Sequence, residues 1–371
     1  MRLLSSRARP ALLLALVLML GGCRATAAGS LRAPPGFHIE LVSDQVPGAR
    51  FIAVAPSGDL IVSETARGRV VAIRPGSTVD EAPKAILSGE ALPHGLAFRG
   101  DDLYVATWAG VLKGAYSSSS GYKPQTLFSD MPEAGDHNNR ALALGPDGSI
   151  FVSSGSDCNV CIEMNGRLAT VLRYDAGGQN GEIYASGLRN ASGLAFDPQG
   201  RLWAVVNQRD NIGPTQEITD NLPPDELVRV QRHGDYGWPY CYPLHHTLLP
   251  NPEFGDPKKC SGGVPADFEI QPHSAPLGIV FYEGKNFPAR YRGAAIIALH
   301  GSWNRSTPSG DKIVAVLFKN GQPQAVEDFV TGWLQPSGRY AGRPVGLAVA
   351  RDGTLYVSDD GGFIYKVSYG P

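Results

Sequence analysis

The sequence predicts an all-β chain folded as a six-bladed β-propeller with four-stranded antiparallel blades. Three observations predict it. One strand-turn-strand signature recurs six times between Phe51 and the C-terminus. The runs on either side of each turn alternate with the period of two that strands require. The 45 glycines and 29 prolines follow no collagen period, so they read as tight turns between short strands.

The copies are FIAVAPSGDLIVSE from Phe51, HGLAFRGDDLYVAT from His94, RALALGPDGSIFVSS from Arg140, SGLAFDPQGRLWAVV from Ser192 and PVGLAVARDGTLYVSD from Pro344. A looser copy, PLGIVFYEGKNFPARYRGAAIIAL from Pro276, carries a longer connection and completes the six. Glycines in the turns supply the positive backbone angles of tight hairpins. VVAIRP, TVLRYDA, ELVRV and KIVAVLF follow the first, third, fourth and fifth copies as outer strands. A length of 371 residues would ordinarily suggest two or three domains, but a closed repeat grows as one body. The propeller is expected over 34–371, with an insertion at about 207–274.

Charged residues make up 18% of the chain and the net charge is −2, which gives no polybasic surface for nucleic acid or anionic membrane. The N-terminus places Arg2, Arg7 and Arg9 before an apolar stretch from Ala11 to Leu20, the order of a secretory signal and too short to span a bilayer. Leu20-Gly21-Gly22-Cys23 resembles a bacterial lipobox. The expectation is a signal over 1–23, an acyl anchor at Cys23, a linker over 24–33 and a periplasmic or cell-surface location. Membrane contact is then through the lipid alone; an ordinary cut near Ala25 to Ala28 is the alternative. The other cysteines are expected to pair as Cys158 with Cys161 and Cys241 with Cys260, because each pair shares one loop-rich segment in an oxidising compartment. Ile162 follows Cys161 where a c-type haem motif needs histidine.

Candidate chemistry lies in loops that open or close the inner hairpins. His137 precedes the third hairpin and faces the channel as a candidate general base, with His94 and His273 in similar but weaker positions. His245 and His246 in the insertion lack a third metal ligand. Arg189 and Asn190 precede the fourth hairpin, Arg209 and Asp210 leave it, His300 and Arg305 leave the fifth, and Arg343 leads into the sixth. Cations on one face suit an anionic ligand. Irregular backbone near Asn207 could offer carbonyl oxygens to calcium.

Read in order, DHNNRALALGPDG, GLRNASGLAFDPQG, NQRDNIG, LPPDELVRV, HGDYGWPYC, APLGIVFY, LHGSWNRS and RPVGLAV resemble the soluble-type quinoprotein sugar dehydrogenases, in particular the L-sorbosone dehydrogenase-like branch of the glucose/sorbosone dehydrogenases. The likeness runs from about Pro34 to Tyr369. It implies oxidation of a sugar by pyrroloquinoline quinone, with Ca2+ polarising the quinone and His137 taking the hydroxyl proton. It implies cofactor contacts from Arg189, Asn190, Arg209, His300, Arg305 and Arg343, and main-chain carbonyls of Arg209 and Asp210 at the metal. Ser156, with Asp157 beside it, stands where glucose-oxidising relatives place the carboxylate that orients the base. HGSWNR replaces a lysine-bearing segment, so glucose is not assumed as substrate. Electrons would leave to a separate cytochrome or quinone. A calcium-dependent lactonase-type hydrolase and a non-catalytic sugar-binding propeller share the fold; repeat count excludes the eight-bladed quinoproteins.

Overall fold

The computed structural model describes residues 29–133 and 135–370; the leader and Cys23 lie outside the described residues. Each of the six signatures forms the inner hairpin of one blade. The pairs are Ile52–Val54 with Leu60–Glu64, Leu96–Arg99 with Asp102–Ala106, and Leu142–Leu144 with Ile150–Ser154. They continue as Ala191–Phe196 with Leu202–Val206, Pro276–Phe281 with Ala295–Leu299, and Pro344–Val349 with Leu355–Asp359. The outer strands expected after the first, third, fourth and fifth copies are Arg69–Ile73, Thr170–Tyr174, Asp225–Arg229 and Lys312–Lys319.

The ring closes through a pairing that the repeat did not announce. Phe37–Ser43, at the start of the described chain, lies antiparallel to Ile364–Tyr369 and becomes the outermost strand of the sixth blade. Both ends of the described chain are thereby held in one sheet, which fastens the first and last parts of the ring to each other.

Strand alternation sends neighbouring residues into different blade interfaces. Leu60 and Val62 pack between the sixth and first blades, whereas Ile61 between them packs between the first and second. Leu103 and Val105 face the first blade; Tyr104 and Ala106 face the third. The core is therefore a ring of apolar clusters, one at each blade interface, and a register slip of one residue would exchange their contents.

The stretch 207–274 is a blade edge with excursions. It contains Asp225–Arg229 and Phe268–Ile270, the outer half of the fourth blade. Between them, Gly234–Asp235 adds to the third blade in parallel, and Cys241–Leu244 pairs with Thr247–Pro250 as a separate hairpin. Cys241 is bonded to Cys260, and Cys158 to Cys161. All inner strands start, and all second strands end, on one face of the ring. That face carries the candidate residues.

Candidate active site

His137 lies in the loop before the third inner strand, half-buried against the segment that leaves the second strand of the same blade. Its Nδ1 is 3.0 Å from the Ser156 carbonyl and 2.9 Å from Ser156 Oγ. The Ser156 hydroxyl donates its proton to the Cys158 carbonyl at 2.9 Å, so it can only accept at Nδ1. Nδ1 therefore carries the hydrogen and Nε2 keeps its lone pair. A main-chain carbonyl, in place of a carboxylate, orients this imidazole. Asp157 turns the other way and accepts from the Gly135 N–H. Burial, and then the charge of Arg189, push His137 down to about 4, so the imidazole is neutral at neutral pH.

Gly155 permits this approach. A Cβ there would lie 2.5 Å from His137 Cβ and 3.3 Å from Asn190 Oδ1. The Asn190 amide beside it makes no side-chain hydrogen bond among the described residues, and so remains open to a ligand.

The arginines divide into spent and free. Arg209 is 2% exposed. Its guanidinium donates to Asn251 Oδ1, to both Glu253 carboxylate oxygens, to the Asn211 carbonyl at 3.2 Å and to the Asp210 carbonyl at 3.3 Å. Those bonds use every N–H a guanidinium has. The Arg209 guanidinium therefore bolts the insertion to the fourth blade, which leaves its main-chain carbonyl as the part of this residue that could meet a ligand. Arg189 is nearly as fully bonded, donating to the Asn159 carbonyl, Asn159 Oδ1 and the carbonyls of Asn207 and Gln208, with Trp238 5.5 Å from its face.

Arg50, which none of the family-like motifs contains, is the freest cation of the face. Its guanidinium makes no hydrogen bond or ion pair among the described residues, and burial lowers its pKa against the opposing pull of Asp360. A signal was present in the repeat, since Arg50 stands two residues before its inner strand, as His94 and Arg140 do. Arg343 stacks 4.5 Å from the Tyr340 ring and lies 3.9 Å from Asp311. His300 Nε2 is 2.8 Å from Asp360 Oδ2. Burial raises the Asp360 carboxyl, but His300, Arg50 and Arg343 together hold it below the ordinary range. Asp311 is buried with neither oxygen hydrogen-bonded, and burial pushes it up to about 7. Arg50, His300, Arg343 and Asp360 thus form one charged group at the channel.

Arg305 sits apart, acting on Asp220 at the rim, with its Nε buried and without a partner. The two halves of the face meet at Asp210, whose Oδ1 accepts from Asn304 at 2.7 Å and contacts His273 Nδ1 at 3.2 Å. The Asp210 carbonyl is engaged by Asn159 Nδ2 at 3.1 Å and by Arg209 Nε at 3.3 Å. At this corner the Arg209 carbonyl and Asp210 Oδ2 accept no bond among the described residues. Calcium takes about six to eight oxygens, so these two fit only as part of a shell completed by cofactor and water. The unpaired Arg50 fits an anionic cofactor better than it fits an empty channel.

The LPPDELVRV motif has a structural use. Asp225 accepts from the main-chain N–H of Gln208 and of Ala275, joining the loops of the fourth and fifth blades. Burial pushes Glu226, next in sequence, up to about 8. Glu226 Oε1 accepts from Gln208 Nε2, while Glu226 Oε2 and Gln208 Oε1 are buried without partners. A neutral carboxyl whose hydroxyl faces the amide oxygen satisfies both. Because the folded value is raised, this stability is full below about 4.5 and declines as pH rises towards about 8. Glu226→Gln keeps the amide pairing and should flatten that decline, read from denaturant midpoints at the two pH limits. An unchanged slope would refute the assignment.

Residues 31–369 match the family model described as TrAA12-like. The pyrroloquinoline quinone-dependent pyranose dehydrogenase of Coprinopsis cinerea is 26% identical over 423 aligned positions, covering 91% of this chain and 54% of that protein. The chain spans little more than half the length of the curated relatives it matches first. The holo form of the PQQ domain of pyranose dehydrogenase from Coprinopsis cinerea superposes with a TM-score of 0.78 at 21% identity, covering 91% of this chain and 97% of that one. The calcium structure of the Trichoderma reesei family AA12 protein gives 0.79 at 24% identity, covering 92% and 97%. At such identities the structural likeness establishes the fold. The match to the family model, over nearly all of the described residues, shows that the chain belongs to the TrAA12-like family.

Proposed function

We propose that this protein is an exported quinoprotein that oxidises a sugar hydroxyl or a hydrated sugar aldehyde, passing hydride to pyrroloquinoline quinone with His137 as general base. The observation that carries the reading is a neutral imidazole with its Nε2 lone pair unspent, on the same face as the unpaired guanidinium of Arg50. That a relative of this chain is the pyrroloquinoline quinone-dependent pyranose dehydrogenase of Coprinopsis cinerea supports the same cofactor.

Pyrroloquinoline quinone, when bound, supplies an electron-poor dicarbonyl that accepts two electrons as hydride. Everything else falls to the chain. Arg50 and Arg343 would neutralise the carboxylates of the cofactor, and the Asn190 amide would offer it a further hydrogen bond. Calcium would be held in part by the Arg209 carbonyl and Asp210 Oδ2, where its charge would favour a developing oxyanion. His137 Nε2 removes the hydroxyl proton as hydride leaves carbon, and the Ser156 carbonyl stabilises the imidazolium that results. Trp303, 74% exposed on the rim beside Asn304, presents a flat apolar face to a sugar ring.

The location proposed with this activity is periplasmic or cell-surface, with acylation at Cys23. Electrons then pass to a separate cytochrome or quinone carrier. The deciding experiment is titration of apoprotein with pyrroloquinoline quinone in the presence of Ca2+, followed by reduction of an artificial acceptor with aldoses and sugar aldehydes. Saturable quinone binding with sugar-dependent turnover is expected. Absence of binding would sink the proposal.

A further inference from the structure

The four-residue ring closed by Cys158 and Cys161 is bonded to the segment that orients His137, to Arg189 and to Asp210. Cys158 accepts the Ser156 hydroxyl through its carbonyl, and Ser156 in turn receives the proton of His137 Nδ1. Asn159, inside the ring, accepts from Arg189 Nε at its carbonyl at 3.0 Å and from Arg189 Nη2 at Oδ1 at 3.2 Å. The same Oδ1 accepts from the Asp210 main-chain N–H at 2.9 Å, while Nδ2 donates to the Asp210 carbonyl at 3.1 Å. One side-chain amide thus reads both main-chain groups of Asp210 as a neighbouring strand would.

We propose that Asn159, locked in the Cys158–Cys161 ring, is a positioning residue that holds His137 and the Arg209–Asp210 corner in register for hydride transfer. The chemistry selects asparagine. Its acceptor and its donor are both in use; aspartate lacks the donor, serine is too short, and glutamine would shift the amide by one methylene out of register with the Asp210 main chain. The disulfide matters because it removes the backbone freedom of the ring from which these bonds are made. Placement errors of about 1 Å in a reacting group can cost on the order of 100-fold in rate, so a support of this kind acts on turnover more than on folding. The ring also explains why the site can do without a carboxylate behind its base: the tautomer is set by a carbonyl whose own segment is stapled.

The activity arm of this inference rests on the sugar-oxidation reading; a second arm does not. In the full-length protein, Asn159→Ala, the near-isosteric Asn159→Asp and the double variant Cys158→Ser/Cys161→Ser are compared with wild type. Turnover at saturating quinone, Ca2+ and sugar should fall at least tenfold at temperatures well below each variant's unfolding midpoint, with KM for sugar changed less than kcat. Independently, nitrogen-15 spectra of the apoprotein should show His137 as the Nδ1–H tautomer in wild type and a mixture of tautomers in the cysteine double variant. If wild type fails to bind quinone, the functional reading falls while the tautomer measurement still judges the ring. Wild-type kcat together with an unchanged His137 signature in all three variants would overturn the proposal.

Discussion

His137→Ala should lower sugar-dependent turnover by about 100- to 10,000-fold while leaving quinone affinity within about twofold, the loss characteristic of a general base. The imidazole is oriented through Nδ1 to the Ser156 carbonyl, leaving Nε2 as its one free basic atom. No other histidine described on the face can replace it. His300 is bonded to Asp360, His273 is enclosed by Asp210 and the carbonyls of Thr219 and Leu222, and His94 is buried against Thr65. The depressed value of about 4 adds a pH signature. The base form persists well below the ordinary histidine range, so wild-type turnover should stay flat from about pH 7 to about pH 5 and fall only at lower pH. A variant that retains full activity, or an acid limb centred near 6.5, would show that another group takes the proton.

Arg50→Ala should raise the quinone dissociation constant by about 10- to 100-fold, as expected for losing a charge-assisted hydrogen bond in a half-enclosed channel. The same change should leave the apoprotein as stable as wild type or more so, because it removes a cation that burial penalises and that no side chain satisfies. These opposite signs make the test sharp. A structural arginine such as Arg209, whose donors are all used, would destabilise the apoprotein when removed. Unaltered quinone binding in Arg50→Ala, measured by titration and by thermal midpoint with and without cofactor, would mean that the channel cation serves the fold.

The propeller was legible because its determinants are local. Alternation in LYVSD and the glycine turns between paired runs act within about ten residues, and each recurs often enough to set the blade number. The site was legible only as positions. His137, Arg189, Asn190, His300 and Arg343 were placed on one face because each adjoins an inner hairpin, and the structure puts them there.

What the sequence by itself determined was the architecture and the face on which chemistry could occur; it favoured one pairing of the four cysteines among three, and the structure has that one. Tertiary structure decided which side chains are free. Arg209 is spent on Asn251 and Glu253, some forty residues away, Arg50 has no such partner, and the His137 imidazole leans on a carbonyl in place of a carboxylate. Closure by Phe37–Ser43 against Ile364–Tyr369 is of the same kind. The physical reason is common to all of them: a donor is available only when its neighbours leave it so, and those neighbours come from distant parts of the chain that no local pattern records.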